Sequence, residues 1–63
     1  MYSVKLRHGG DLYRVSYDII GGYPEILEIK VWYLNRFHRV DPRECESVIN
    51  LANQKIENMT CLN

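Results

Sequence analysis

Apolar and polar residues alternate from Tyr2 to His8 and again from Asp11 to Ile20, with Gly9-Gly10 between the runs. A period of two is that of a strand with one covered face, and Gly-Gly supplies the positive φ angles of a tight primed turn. If His8 faces Asp11, then Leu6 faces Tyr13, Val4 faces Val15 and Tyr2 faces Tyr17, all on one side. Lys5 then faces Arg14 and Ser3 faces Ser16 on the other. A slip of one residue would mix the two sets, so the pattern itself sets the register.

Gly21-Gly22-Tyr23-Pro24 interrupts the second strand, and a third is predicted from near Glu25. Its alternation turns Leu27, Ile29, Val31 and Tyr33 inward and Ile26, Glu28, Lys30, Trp32 and Leu34 outward. Consecutive strands usually neighbour each other, so the third should pair with the second as a meander. One register sets Arg14 beside Trp32, a favourable cation–aromatic contact. Asn35 to Val40 is predicted to turn the chain toward a helix, leaving the third strand at the sheet edge.

The helix is predicted over Asp41 to Met59. Asp41 is suited to the N-cap, Pro42 to the first turn and Glu44 to a capping box. Cys45, Val48, Ile49, Ala52, Ile56 and Met59 recur at helical spacing, so one face is apolar and needs cover. The expected fold is α+β, a three-stranded antiparallel meander followed by one C-terminal helix packed on one face (βββα), with residues 1–63 forming a single domain. Tyr2 and Ile19 join the inward residues of all three strands and the helix stripe in the expected core.

Composition narrows the function classes. Net charge is zero, with eight basic and eight acidic residues, which argues against a dedicated nucleic-acid binder. The charge is unevenly spread, however. Residues 1–40 hold six Lys or Arg against four acids, and residues 41–63 hold two against four, a mildly basic sheet and a mildly acidic helix. Two cysteines do not make a disulfide scaffold. With no signal-like start and no apolar run of membrane-spanning length, the expectation is a cytoplasmic protein with free thiols and no membrane partner. Asn58-Met59-Thr60 then matches a glycosylation sequon by chance.

Chemistry-bearing motifs are few. Cys45 falls in the apolar stripe and is expected to be buried, while Cys61 follows the helix and is expected on an exposed, frayed tail. His8 and His38 have no Cys, Asp or His at metal-ligand spacing, and the glycine pairs belong to turns rather than to a phosphate loop. No enzyme, cofactor, metal or small-molecule substrate is expected. What remains is an outer face. Trp32, Leu34, Phe37, Arg36 and Arg39 form a candidate partner-binding set, because tryptophan and arginine anchor many interfaces. The edge strand makes a homodimer through this region an expected partner, beside a host protein. Lys5, Arg7, Arg14 and Lys30 around Trp32 form an alternative set, a nucleic-acid-binding face offering phosphate neutralisation and a stacking platform.

Met-Tyr at the first strand, Trp32 late in the sheet, the Asp41-Pro42-Arg43-Glu44-Cys45 helix entry and the Thr60-Cys61 tail make the chain resemble the short accessory proteins of lambdoid phages and prophages. That resemblance implies a small non-catalytic inhibitor or modulator of a host protein, acting in host takeover or anti-defence within a bacterial cell. It supplies no functional residues. The alternative from the residues is a small nucleic-acid-binding regulator.

Overall fold

The computed structural model describes residues 1–60, and Cys61 lies outside them. Four strands, β1 (Tyr2–His8), β2 (Asp11–Ile20), β3 (Tyr23–Tyr33) and β4 (Arg36–Val40), precede a 3-10 turn (Pro42–Glu44) and a helix, α1 (Glu46–Thr60). The strands form one antiparallel sheet in the order β1-β2-β3-β4. The α+β expectation of an antiparallel sheet followed by one C-terminal helix holds, with one strand more than predicted.

The first hairpin has the predicted register throughout, Tyr2 to Tyr17 at one end and His8 to Asp11 at the other. Gly9 and Gly10 adopt φ of 58° and 84°, the conformation that made Gly-Gly legible as a turn. The second hairpin is tighter than predicted. Gly21-Gly22 is itself a two-residue turn, and Ile20 pairs directly with Tyr23 and Ile19 with Pro24. Pro24 is tolerated because neither edge strand reaches this end of β3, so one side of it has no ladder to break.

Two departures change the faces. The ladder shifts between Ser16 and Tyr17: Ser16 faces Glu28 while Tyr17 faces Ile26, so Leu27 is the extra residue of a β-bulge. The bulge reverses the alternation. Ile26, expected outward, packs against the core, and Leu27, expected in the core, is 45% exposed. The other departure is β4. Leu34 and Asn35 both take positive φ, 52° and 63°, and form a two-residue turn that folds Arg36–Val40 back onto β3. β3 is therefore an interior strand, not the expected edge, and the proposed pairing of copies through a free β3 edge has no structural basis.

Val4, Leu6, Val15, Tyr17 and Ile29 of the sheet meet Cys45, Val48, Ala52 and Ile56 in the core. Tyr2, Ile19, Tyr33 and Met59 were expected there but are exposed; for Ile19 and Tyr33 the reason is that β2 and β3 run past the ground that a helix of four turns covers. The helix also begins later than predicted. The Asp41 side chain accepts from the Arg43 amide at 3.0 Å and caps only the 3-10 turn. Cys45, at φ −126°, breaks the helical path, and its carbonyl accepts the first bond of α1 from Ile49. That break redirects a chain arriving from the β4 edge.

Candidate functional site: the open face of the sheet

α1 covers one side of the sheet, and no described element covers the other. Strand alternation and the observed registers place five rows of side chains across that open side. Lys5, Arg14, Lys30 and Arg39 lie in direct cross-strand register over all four strands. Toward the β1–β2 turn, Arg7 and Leu12 pair, as do Trp32 and Phe37. Toward the opposite end come Ser3, Ser16 and Glu28, then Asp18 beside Glu25, and last Ile20 beside Tyr23. The last two pairs lie beyond both edge strands, on a projecting two-stranded arm.

Like charges directly opposite on a sheet are destabilising by ~0.2–1 kcal/mol per pair. Only the β3–β4 end of the cation row is relieved. Arg39 Nη2 donates to Glu28 Oε2 at 2.6 Å, Arg39 Nε donates to the same oxygen at 3.1 Å, and Lys30 lies 3.4 Å from Glu28 Oε1. The Arg39 hydrogen bond, assisted by Lys30, holds the Glu28 carboxyl below its ordinary range. Lys5, Arg7 and Arg14 form no ion pair among the described residues. The Arg14 guanidinium instead sits 5.9 Å from the centre of the Phe37 ring. The cation–aromatic contact expected between Arg14 and Trp32 thus goes to Phe37, because Arg14 pairs with Lys30.

Trp32 and Phe37 meet edge to face with centroids 5.0 Å apart, and the indole remains 45% exposed. The expected partner-binding set is split by β4. Trp32, Phe37 and Arg39 share the open face with all of Lys5, Arg7, Arg14 and Lys30. Arg36, opposite Tyr33, falls on the helix side by alternation. Leu34 occupies the turn with its side chain 73% exposed. A left-handed backbone at a leucine costs on the order of 1–3 kcal/mol, a cost that the exposed side chain recovers nowhere within this chain. The expected site omitted the arm residues Ile20, Tyr23, Asp18 and Glu25. Their signal was the second Gly-Gly pair, which makes residues 18–25 a hairpin.

The helix side carries a second feature, a cleft of about 340 Å³ lined by His8, Tyr13 and residues 43–48. Burial, with Glu44 and Asp41 nearby, pushes the Cys45 thiol upward, so this sulfur is protonated and a poor nucleophile at neutral pH. His38 is committed elsewhere, donating through Nε2 to the Tyr33 carbonyl at 2.9 Å. Among the described residues no three His, Cys, Asp or Glu side chains are grouped to hold a metal ion, and no helix is long and apolar enough to cross a membrane. The open sheet face is the stronger candidate. No protein-family model matches this chain, and neither does any curated protein or solved structure.

Proposed function

We propose that this chain is a small non-catalytic protein-binding module that docks through the open face of its sheet, with Trp32 and Phe37 as the anchor. The observation that carries this reading is the half-exposed Trp32–Phe37 pair, bordered by arginines on the one sheet face that the helix leaves bare. A large aromatic ringed by groups that exclude water from a contact is the usual composition of an interface hot spot. The resemblance to lambdoid phage accessory proteins supplies the setting, inhibition or modulation of a host protein in the bacterial cytoplasm. The mechanism is occlusion: the face covers a surface that its partner needs.

A second reading is supported by a different observation, the unbroken row Lys5-Arg14-Lys30-Arg39. Four aligned cations beside an exposed indole suit single-stranded nucleic acid. Against it, Asp18, Glu25 and Glu28 share that face. Capture by tagged protein, followed by mass spectrometry, decides between the readings. Under the first, Trp32→Ala loses the captured proteins and Lys5→Ser with Arg14→Ser retains most of them at raised salt. Under the second, nucleic acid is captured, the double variant loses it, and log affinity falls with log salt at ~0.7 per phosphate neutralised on a single strand. If Trp32→Ala retains every captured protein, the first reading is wrong.

A further inference from the structure

We infer that a second copy of this chain fits the open face, the two sheets packing face to face about a two-fold axis with their strands antiparallel. The inference rests on that face being a protein-recognition surface, and names the partner. Its basis is the order of the rows along the strands.

The open face is electrically polar. Its acids, Glu25 and Asp18 (the latter 3.3 Å from the Met1 amino group), stand toward the arm, and its side-chain cations stand toward the other end, with the small pair Ser3 and Ser16 between them. A two-fold axis across the strands at Ser16 exchanges the two ends while keeping the strand order. Arg14 of one copy then lies over Asp18 of the other, and Lys30 over Glu25. The next rows out are exchanged in the same way. Trp32, Phe37 and Leu12 of one copy meet Ile20 and Tyr23 of the other, which are 57% and 76% exposed in the single chain. The Leu34-Asn35 turn is brought toward the Gly21-Gly22 turn. Each Glu28 near the axis is already neutralised within its own copy by Arg39 and Lys30.

Charge selects this arrangement over its competitor. A two-fold axis parallel to the strands would set the cation row over the cation row. Sheets pack ~10 Å apart with strands within ~30° of each other, a gap that lysine and arginine side chains span. The ceiling on area permits it as well. A face bounded by extents of 38 × 19 Å offers at most about 700 Å² per copy, or about 1,400 Å² for two, inside the ~1,200–2,000 Å² of stable interfaces. One association thus sets an anion against Arg14, which has none among the described residues, and covers apolar residues of β2 and β3 at both ends.

Charge reversal tests this directly by sedimentation. One variant carries Asp18→Lys and Glu25→Lys, the other Arg14→Glu and Lys30→Glu, with circular dichroism confirming that each is folded. The wild type is expected at dimer mass at micromolar concentration, each variant alone at monomer mass, and an equal mixture at dimer mass, because only the mixed pair has both sets of contacts matched. A monomeric wild type, dimers in both lone variants, or a mixture that stays monomeric overturns the inference. A wild-type monomer that binds a single-stranded oligonucleotide overturns it in favour of the polyanion reading. Failure of the broader reading looks different. A monomeric wild type that captures a foreign protein, lost with Trp32→Ala, sinks self-association alone. Capture of its own and foreign chains unchanged by Trp32→Ala sinks the reading itself.

Discussion

Ile26 and Leu27 are adjacent, similar in volume and opposite in fate, because the bulge places one against the core and the other in solvent. Truncation should separate them. Ile26→Ala is expected to cost about 1–2 kcal/mol, and Leu27→Ala about 0.5 kcal/mol or less. Urea midpoints giving the reverse order would place the bulge elsewhere. Glu28 offers a second test at this scale. Its carboxyl is held below the ordinary range by the Arg39 hydrogen bond and then by Lys30, so the ionised form is favoured in the folded chain. Its contribution is complete above the unfolded carboxylate value and is lost as pH falls through the lower folded value. Glu28→Gln should flatten the fall of urea stability across that acid window. An unchanged slope would mean the ion pairs are too solvated to matter.

Among the elements, the β3–β4 hairpin is the most economical place to change stability. A two-residue turn with positive φ at both positions favours Asn-Gly, whereas this chain uses Leu34-Asn35. Replacing Leu34→Asn with Asn35→Gly should therefore stabilise the hairpin by about 1 kcal/mol, raising Tm by ~4–8 °C in a domain of this size. A fall in Tm would show that the exposed Leu34 side chain makes a stabilising contact. At the other edge, Lys55 Nζ donates to the Lys5 carbonyl at 2.6 Å. A lysine laid on an edge strand discourages the addition of further strands, so the helix protects β1 while it covers the core. The β1 edge is thereby made a poorer surface for association than the open face.

Across the whole molecule, one helix carries a third of the buried core, Val48, Ala52 and Ile56. Ile56 is fully buried between α1 and the sheet, and Ile56→Ala should cost about 2–4 kcal/mol, a large share of the stability available to so short a chain. The expected result is a shifted urea midpoint or outright loss of the folded baseline; a change under about 1 kcal/mol would contradict this packing. Association has a signature at the same scale. A folded dimer that dissociates on unfolding has a Tm that rises with protein concentration. The wild type should behave so, and the two charge-reversed variants measured alone should not.

Local pattern alone determined the first hairpin, the class of fold and most of the helix stripe. Tyr2–His8 and Tyr13–Ile19 alternate without interruption, and a Gly-Gly turn leaves one register that keeps their apolar residues together. The cation pair Lys5 and Arg14 and the outward Trp32 were legible for the same reason. Tertiary structure decided the rest. Nothing local marks Leu27 as a bulge, since it is inserted to keep both Tyr17–Ile26 and Val15–Ile29 beneath one helix. Nor does Leu34-Asn35 announce a primed turn, because leucine enters the left-handed region only when the pairing of β3 with β4 compensates for it. That pairing brought Phe37 and Arg39 to the open face and sent Arg36 to the other. The candidate site thus depends on contacts between strands, which become visible only once the chain is folded.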